Sequence, residues 1–119
     1  MSETSDETPL SVEHADGVII ARAKMKMVDD ETLKTLSSLI EQASDANAGA
    51  GLVVLDLSSV MIMPSMALGH LLQLVNQCGA RRQTLKLAGV QPQLRRVFAI
   101  TRLDQVFQFA ESVEAAKLG

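Results

Sequence analysis

The sequence predicts an α/β domain: a mixed sheet of four to five strands, opened by an N-terminal hairpin and packed by about four helices. Three observations carry that expectation. Asp16-Gly17 separates two short apolar runs, as a tight turn between antiparallel strands does. From Asp29 the apolar spacing changes from alternation to a helical period, and strand-like and helix-like segments then alternate along the chain. Finally, Leu52-Val53-Val54-Leu55-Asp56-Leu57 is nearly all apolar over a strand's length, which suits a central strand covered on both faces.

Leu10 to Ala15 reads as an edge strand with weak alternation, and Val18 to Ala23 as its stronger partner. Leu33, Leu36, Ile40 and Ala43 form one apolar stripe of a first helix, with Asp29 as N-cap and Val28 placed to pack on Leu33. Asn47 to Gly51 ends that helix with small, turn-forming residues. After the Leu52–Leu57 strand and a loop from Ser58 to Ser65, a second helix carries Leu68, Leu71, Leu72 and Val75, with Gly79 placed to stop it. Thr84 to Ala88 is a further strand. Pro92, after a turn at Gly89 to Gln91, opens a third helix with Leu94, Val97 and Phe98. Val106 to Phe109 is expected as a last strand and Glu111 to Leu118 as a terminal helix. Right-handed crossovers would make the later strands parallel, so the hairpin makes the sheet mixed.

Length and charge set further bounds. The chain has 119 residues, one domain's worth, expected over residues 10–119 behind an acidic disordered tail at 1–9. Glu3, Asp6 and Glu7 supply the imbalance: the remainder carries eleven acidic and eleven basic residues, without the basic footprint that nucleic-acid binding needs. Aromatic residues are 3% of the chain, with no Trp and no Tyr, which argues against base-stacking platforms and aromatic sugar clefts. The apolar runs fall well short of the ~20 residues that span a bilayer, and the N-terminus is the opposite of a signal peptide. A cytoplasmic protein is expected. The single cysteine, Cys78, allows no internal disulfide and suits a reducing compartment.

The sequence supplies no catalytic constellation. His14 and His70 belong to different elements and share no ligand spacing with other Cys, His or carboxylate residues. His70 lies off the apolar stripe, facing solvent or a partner. Cys78, near a helix C-terminus, reads as packing rather than as a nucleophile. Asp56 is expected to orient the loop that follows it. Gly49-Ala50-Gly51 precedes a strand instead of opening a helix, so it is no dinucleotide fingerprint. No enzyme, metal or cofactor is expected. Arg81-Arg82, Arg95-Arg96 and Arg102 are solvated surface or a dock for an acidic partner, and Arg81 and Arg82 are placed to complement the negative end of the second helix. Ser65, at the start of that helix, has the position of a cap, yet the same position tolerates a phosphate. Residue physics leaves cap and switch both open.

Leu55-Asp56-Leu57-Ser58-Ser59-Val60, followed by Pro64-Ser65-Met66-Ala67-Leu68-Gly69, resembles the STAS domain family, which includes the bacterial anti-sigma factor antagonists. That family typically shows a buried strand ending in Asp-Leu-Ser, a short apolar loop, and Asp-Ser-Ser-Gly-Leu-Gly opening a helix. Leu85 to Phe98 is similar to the family's strand, turn and third helix, and Ile100 to Phe107 to the segment that follows. The resemblance implies an interaction protein: an antagonist that binds an anti-sigma factor, itself a serine kinase, and so frees a sigma factor. Phosphorylation of the motif's serine, here Ser65, blocks binding, and a phosphatase restores it. The implied contact surface is Ser65, Met66, Gly69 and His70, with Arg95 or Arg96 at the rim.

Three positions depart from the motif: Pro64 replaces its Asp, Met66 its second serine, and Ala67 its first Gly. Pro64 stiffens the helix entry, and Met66, with Met61 and Met63, makes this corner more apolar. Met61 and Met63 read as core; exposed, they would mark a docking patch. Two alternatives stand beside the switch: a structural STAS subunit of a signalling scaffold in which Ser65 only caps, and a module binding a small anion or nucleotide. The oligomeric state is left open.

Overall fold

Residues 9–118 are described by a computed structural model, so the expected tail lies outside the described residues except for Pro9. The hairpin forms as its turn chemistry dictates. Strands β1 (Leu10–Ala15) and β2 (Val18–Ala23) pair antiparallel, from Leu10 opposite Ala23 to Ala15 opposite Val18. Asp16 and Gly17 between them both take positive φ, at 54° and 78°, the twist that a two-residue hairpin requires.

Helix α1 (Asp30–Ala46) begins where expected: the Asp29 carboxylate accepts a hydrogen bond from the Thr32 backbone N–H at 2.8 Å. Val28 and Leu33 flank this cap, both fully buried in the same core cluster. The Thr32 N–H, which favours the ionised carboxylate, holds the Asp29 pKa below its ordinary 3.8. A depressed folded pKa gives stability that is present above the unfolded value and lost as pH falls through the folded one. Thermal melts of the wild type and of Asp29→Asn should therefore differ at neutral pH and converge in strong acid. A difference independent of pH would show that the charge contributes nothing.

Strand β3 (Leu52–Asp56) runs parallel to β2, helix α2 (Ser65–Ala80) follows, and β4 (Thr84–Ala88) runs parallel to β3. Helix α3 (Pro92–Ile100), a 3-10 turn at Leu103–Gln105, β5 (Gln108–Ala110) parallel to β4, and helix α4 (Val113–Leu118) complete the described chain. The strands lie in sequence order, β1-β2-β3-β4-β5, which leaves β3 in the middle. Alternation along the strands divides the core. Ile19, Ala21, Val53, Leu55, Leu85 and Leu87 face α1, α2 and α3, and Ile20, Val54 and Ala88 pack with Ala116 of α4. Lys86, on this second face, reaches along the sheet to donate to the Ala116 carbonyl at 3.1 Å.

Three expectations need correction. Helix α2 does not stop at Gly79. It runs to Ala80 and closes with Arg82 in the left-handed region (φ 62°), where the Gln83 N–H returns to the Cys78 carbonyl at 2.8 Å. Its buried stripe is Ala67, Leu68, Leu71, Leu74 and Cys78, and Leu72 and Val75 are only half-buried. The last strand begins two residues later than expected, because Arg102 (φ 65°) and the 3-10 turn carry the chain round before Phe107 enters the core.

Candidate functional site

The C-terminal ends of β3 and β4 open into two neighbouring loops, and α2 and α3 start from them. Asp56 does orient its loop: one carboxylate oxygen accepts the Ser58 N–H at 3.0 Å, and the other lies 3.6 Å from Arg22 Nε. The second loop is pressed against the first. Gly89 has φ +67°, and a Cβ there would stand 3.0 Å from Ser58 Cβ; the Gln91 side chain donates to the Ser58 carbonyl. Both conformation and the close approach of Ser58 therefore favour glycine at 89.

The loop from Ser59 to Pro64 is then tied sideways to the segment between β2 and α1. The Lys26 carbonyl accepts the N–H groups of Met61 and Ile62, at 2.7 and 3.0 Å, and the Val28 N–H donates to the Ile62 carbonyl at 3.1 Å. Met27 and Ile62 thus form an isolated parallel bridge. Val28, Val60 and Met63 point into the core, and the residues between them turn outward. The outcome is an apolar surface: Met27 is 49% exposed, Met61 36%, Ile62 57% and Met66 67%. Met63 is core as expected; Met61 is not, because its backbone is spent on pairing with Lys26 and its side chain is turned out. Met27 and Ile62 escaped the sequence reading. The one signal for Met27 was the alternation Lys24-Met25-Lys26-Met27 running on past the strand.

Ser65 is exposed beside this surface but is not the cap of α2. Pro64 occupies that position (φ −61°, ψ 164°), makes no side-chain cap bond, and its carbonyl accepts the Leu68 N–H at 3.0 Å. Ser65 is the first helical residue. A scaffold reading in which Ser65 serves as the cap thereby loses its account of the serine. Ala67 and Leu68 anchor the first turn in the core, and Ser65, Met66 and Gly69 remain exposed. A Cβ on Gly69 would meet nothing within 4 Å, so neither a turn nor close packing explains this glycine.

The other expected site residues are divided. His70 is half-buried and turned toward α1, lining a shallow groove with Lys34, Ser38 and Gln73. Arg95 lies over the Phe109 ring, 3.9 Å from its centroid, and Arg96 beside it lines a depression with Ala99 and Asp104. Both arginines follow the second loop, at the same end of the sheet as Ser65, but Arg95 is committed to β5. Arg81 is the C-cap of α2, and its guanidinium bridges to α1, with Asp45 at 2.8 Å and Glu41 at 3.8 Å. Among the described residues no cluster of His, Cys, Asp or Glu could hold a metal, and no helix is long and apolar enough to cross a membrane.

Comparison with known proteins identifies the family and the fold. The family model described as STAS domain matches residues 9–116. A STAS-domain containing protein of Pseudomonas aeruginosa is 33% identical over 57 residues, 48% of this chain and 56% of that relative, so the chain spans about half the relative's length. An anti-sigma factor antagonist from Mycobacterium paratuberculosis superposes with a TM-score of 0.74 at 24% identity, covering 92% of this chain and 90% of that one. The antagonist SpoIIAA in its unphosphorylated form gives 0.65 at 14% identity, covering 88% and 90%. The Bacillus SpoIIAA in its phosphorylated form gives 0.64 at 17%, covering 89% and 95%. These structural likenesses concern the fold.

Proposed function

The chain belongs to the STAS domain family, and on that premise we propose that it is a cytoplasmic regulatory protein of the anti-sigma factor antagonist type. It binds a kinase-type anti-sigma factor through the surface at the start of α2, and phosphorylation of Ser65 by that partner breaks the complex. The observation that carries this reading is the exposed Ser65 hydroxyl standing beside the apolar surface of Ile62, Met66, Met61 and Met27.

The proposed switch is local electrostatics. The kinase transfers the terminal phosphoryl group of ATP to Ser65 Oγ, leaving ADP, and a phosphatase hydrolyses the ester to restore the hydroxyl and release inorganic phosphate. The ester adds about −1.5 to −2 charges at neutral pH. The positive end of the α2 dipole favours that charge, so the fold accepts it. A docked apolar partner does not, because burying an uncompensated anion is expensive. Pro64 contributes by absence: it puts no carboxylate next to the phosphate, where the family motif has one.

The test uses the kinase-type anti-sigma factors of the source organism with ATP, mass spectrometry to locate phosphate, and binding assays on variants. Ser65→Ala should bind like the wild type and resist phosphorylation, with stability changed by no more than about 0.5 kcal/mol because no cap is lost. Ser65→Asp should lose binding. Equal binding by Ser65→Asp would refute the switch, and no binding by any form would refute the partner.

A further inference from the structure

In the half of α2 remote from Ser65, a cavity of about 240 Å³ opens between α1 and α2. Ile40, Leu74 and Cys78 form its buried apolar floor, and the small side chain of Ser37 leaves the space unfilled. Gln83, only 8% exposed, stands at one end. Its amide nitrogen donates to Ser44 Oγ at 3.0 Å and to the Ala50 carbonyl at 3.3 Å. Ala50 offers only an acceptor, which fixes the orientation of the amide. Gln83 Oε1 is left buried without a partner, the one such side-chain atom among the described residues. Native folds leave few acceptors in that condition.

Arg81 lines the cavity beside Gln83. Arg81 and Gln83 line both this cavity and an adjoining one of about 280 Å³ against Ala48 and Ala50, so Arg81 forms part of the wall the two share. Its anchors are the exposed carboxylates of Asp45 and Glu41, a kind of pairing that holds a side chain weakly. Two carboxylates outweigh its single charge, so the mouth does not select an anion, and the apolar floor gives a cation no partner. Burial pushes the Cys78 thiol up to about 11, against the pull of Arg81, so the floor is neutral and unreactive.

We infer that this cavity binds a small uncharged molecule with an apolar ring system and a single N–H or O–H donor, which pairs with Gln83 Oε1 once the Arg81 side chain swings aside. An apolar hollow with one unpaired polar atom has the anatomy of a small-ligand site. A cavity of about 150 Å³ already admits benzene, so a two-ring molecule fits here.

The probe is indole, with benzothiophene as a control of the same shape that lacks the donor. Each is titrated into isotopically labelled full-length protein and followed by NMR, including the side-chain amide of Gln83. Indole should saturably shift the signals of Ser37, Cys78 and Gln83 and bind roughly tenfold more tightly than benzothiophene, the worth of one hydrogen bond. Gln83→Met should erase that preference. Arg81→Ala leaves the acceptor in place and should tighten indole binding several-fold, which keeps the test decisive if Gln83→Met folds poorly. No shift at the solubility limit, equal binding of the two probes by the wild type, or an unchanged indole affinity in Arg81→Ala would each overturn the inference.

Discussion

Phe98→Ala is expected to destabilise the domain by about 3–5 kcal/mol, the range for deleting a fully buried phenylalanine. The ring has no exposed surface and lies against the chain's other two aromatic residues, with centroid distances of 5.6 Å to Phe107 and 5.7 Å to Phe109. Helix α3 has only Leu94 as a second fully buried anchor, so deleting Phe98 removes about half of its attachment to the sheet. The loss spreads to β5, a strand of three residues held beside β4 and covered in part by the same cluster. It reaches the surface too, because Arg95 rests over the Phe109 ring that Phe98 supports. Against a typical domain stability of about 5–15 kcal/mol this is a large fraction, and the melting temperature should fall by roughly 10 °C or more. Urea unfolding measures it directly: a midpoint within error of the wild type would show that α3 is held by something other than the three-ring cluster.

What the sequence made legible follows from how local its signals are. The hairpin, the Asp29 cap and the strand at Thr84–Ala88 were readable because each is specified within a few residues, by a turn dipeptide, a cap or an apolar alternation. The central position of β3 was readable because both its faces are buried, so its polar positions are nearly absent. The errors have the opposite character. Arg82 and Arg102 take left-handed conformations that arginine does not advertise, and these displaced the end of α2 and the start of β5. Pro64 and Ser65 both suit a helix start, and only the observed φ and ψ assign the cap to proline. Met66 was expected on this surface, but Met27 and Ile62 were missed and Met61 was read as core, because the surface is assembled by hydrogen bonds between two loops distant in sequence: whether Met61 and Ile62 face in or out depends on Lys26 and Val28, not on their own neighbours.

That surface makes the second large prediction. Ile62→Asp and Met66→Asp should each weaken binding of the proposed anti-sigma factor partner by more than about 30-fold, the size expected when an anchor residue of an interface is lost, with stability within about 0.5 kcal/mol of the wild type. The two effects separate because both side chains are more than half exposed in the free protein: an aspartate there is hydrated until a partner covers it, and only then is its charge stripped of water. Met63→Ala tests the other side of the same loop. Met63 is core, so truncating it should cost about 2–5 kcal/mol of stability and affect binding only through loss of folded protein. Arg96→Ala, at the expected rim, should act mainly on the association rate and its salt dependence. Surface plasmon resonance of the four variants beside their unfolding curves distinguishes these outcomes. If both aspartates leave the affinity unchanged, the partner does not dock at the start of α2, and the exposed methionines need another explanation.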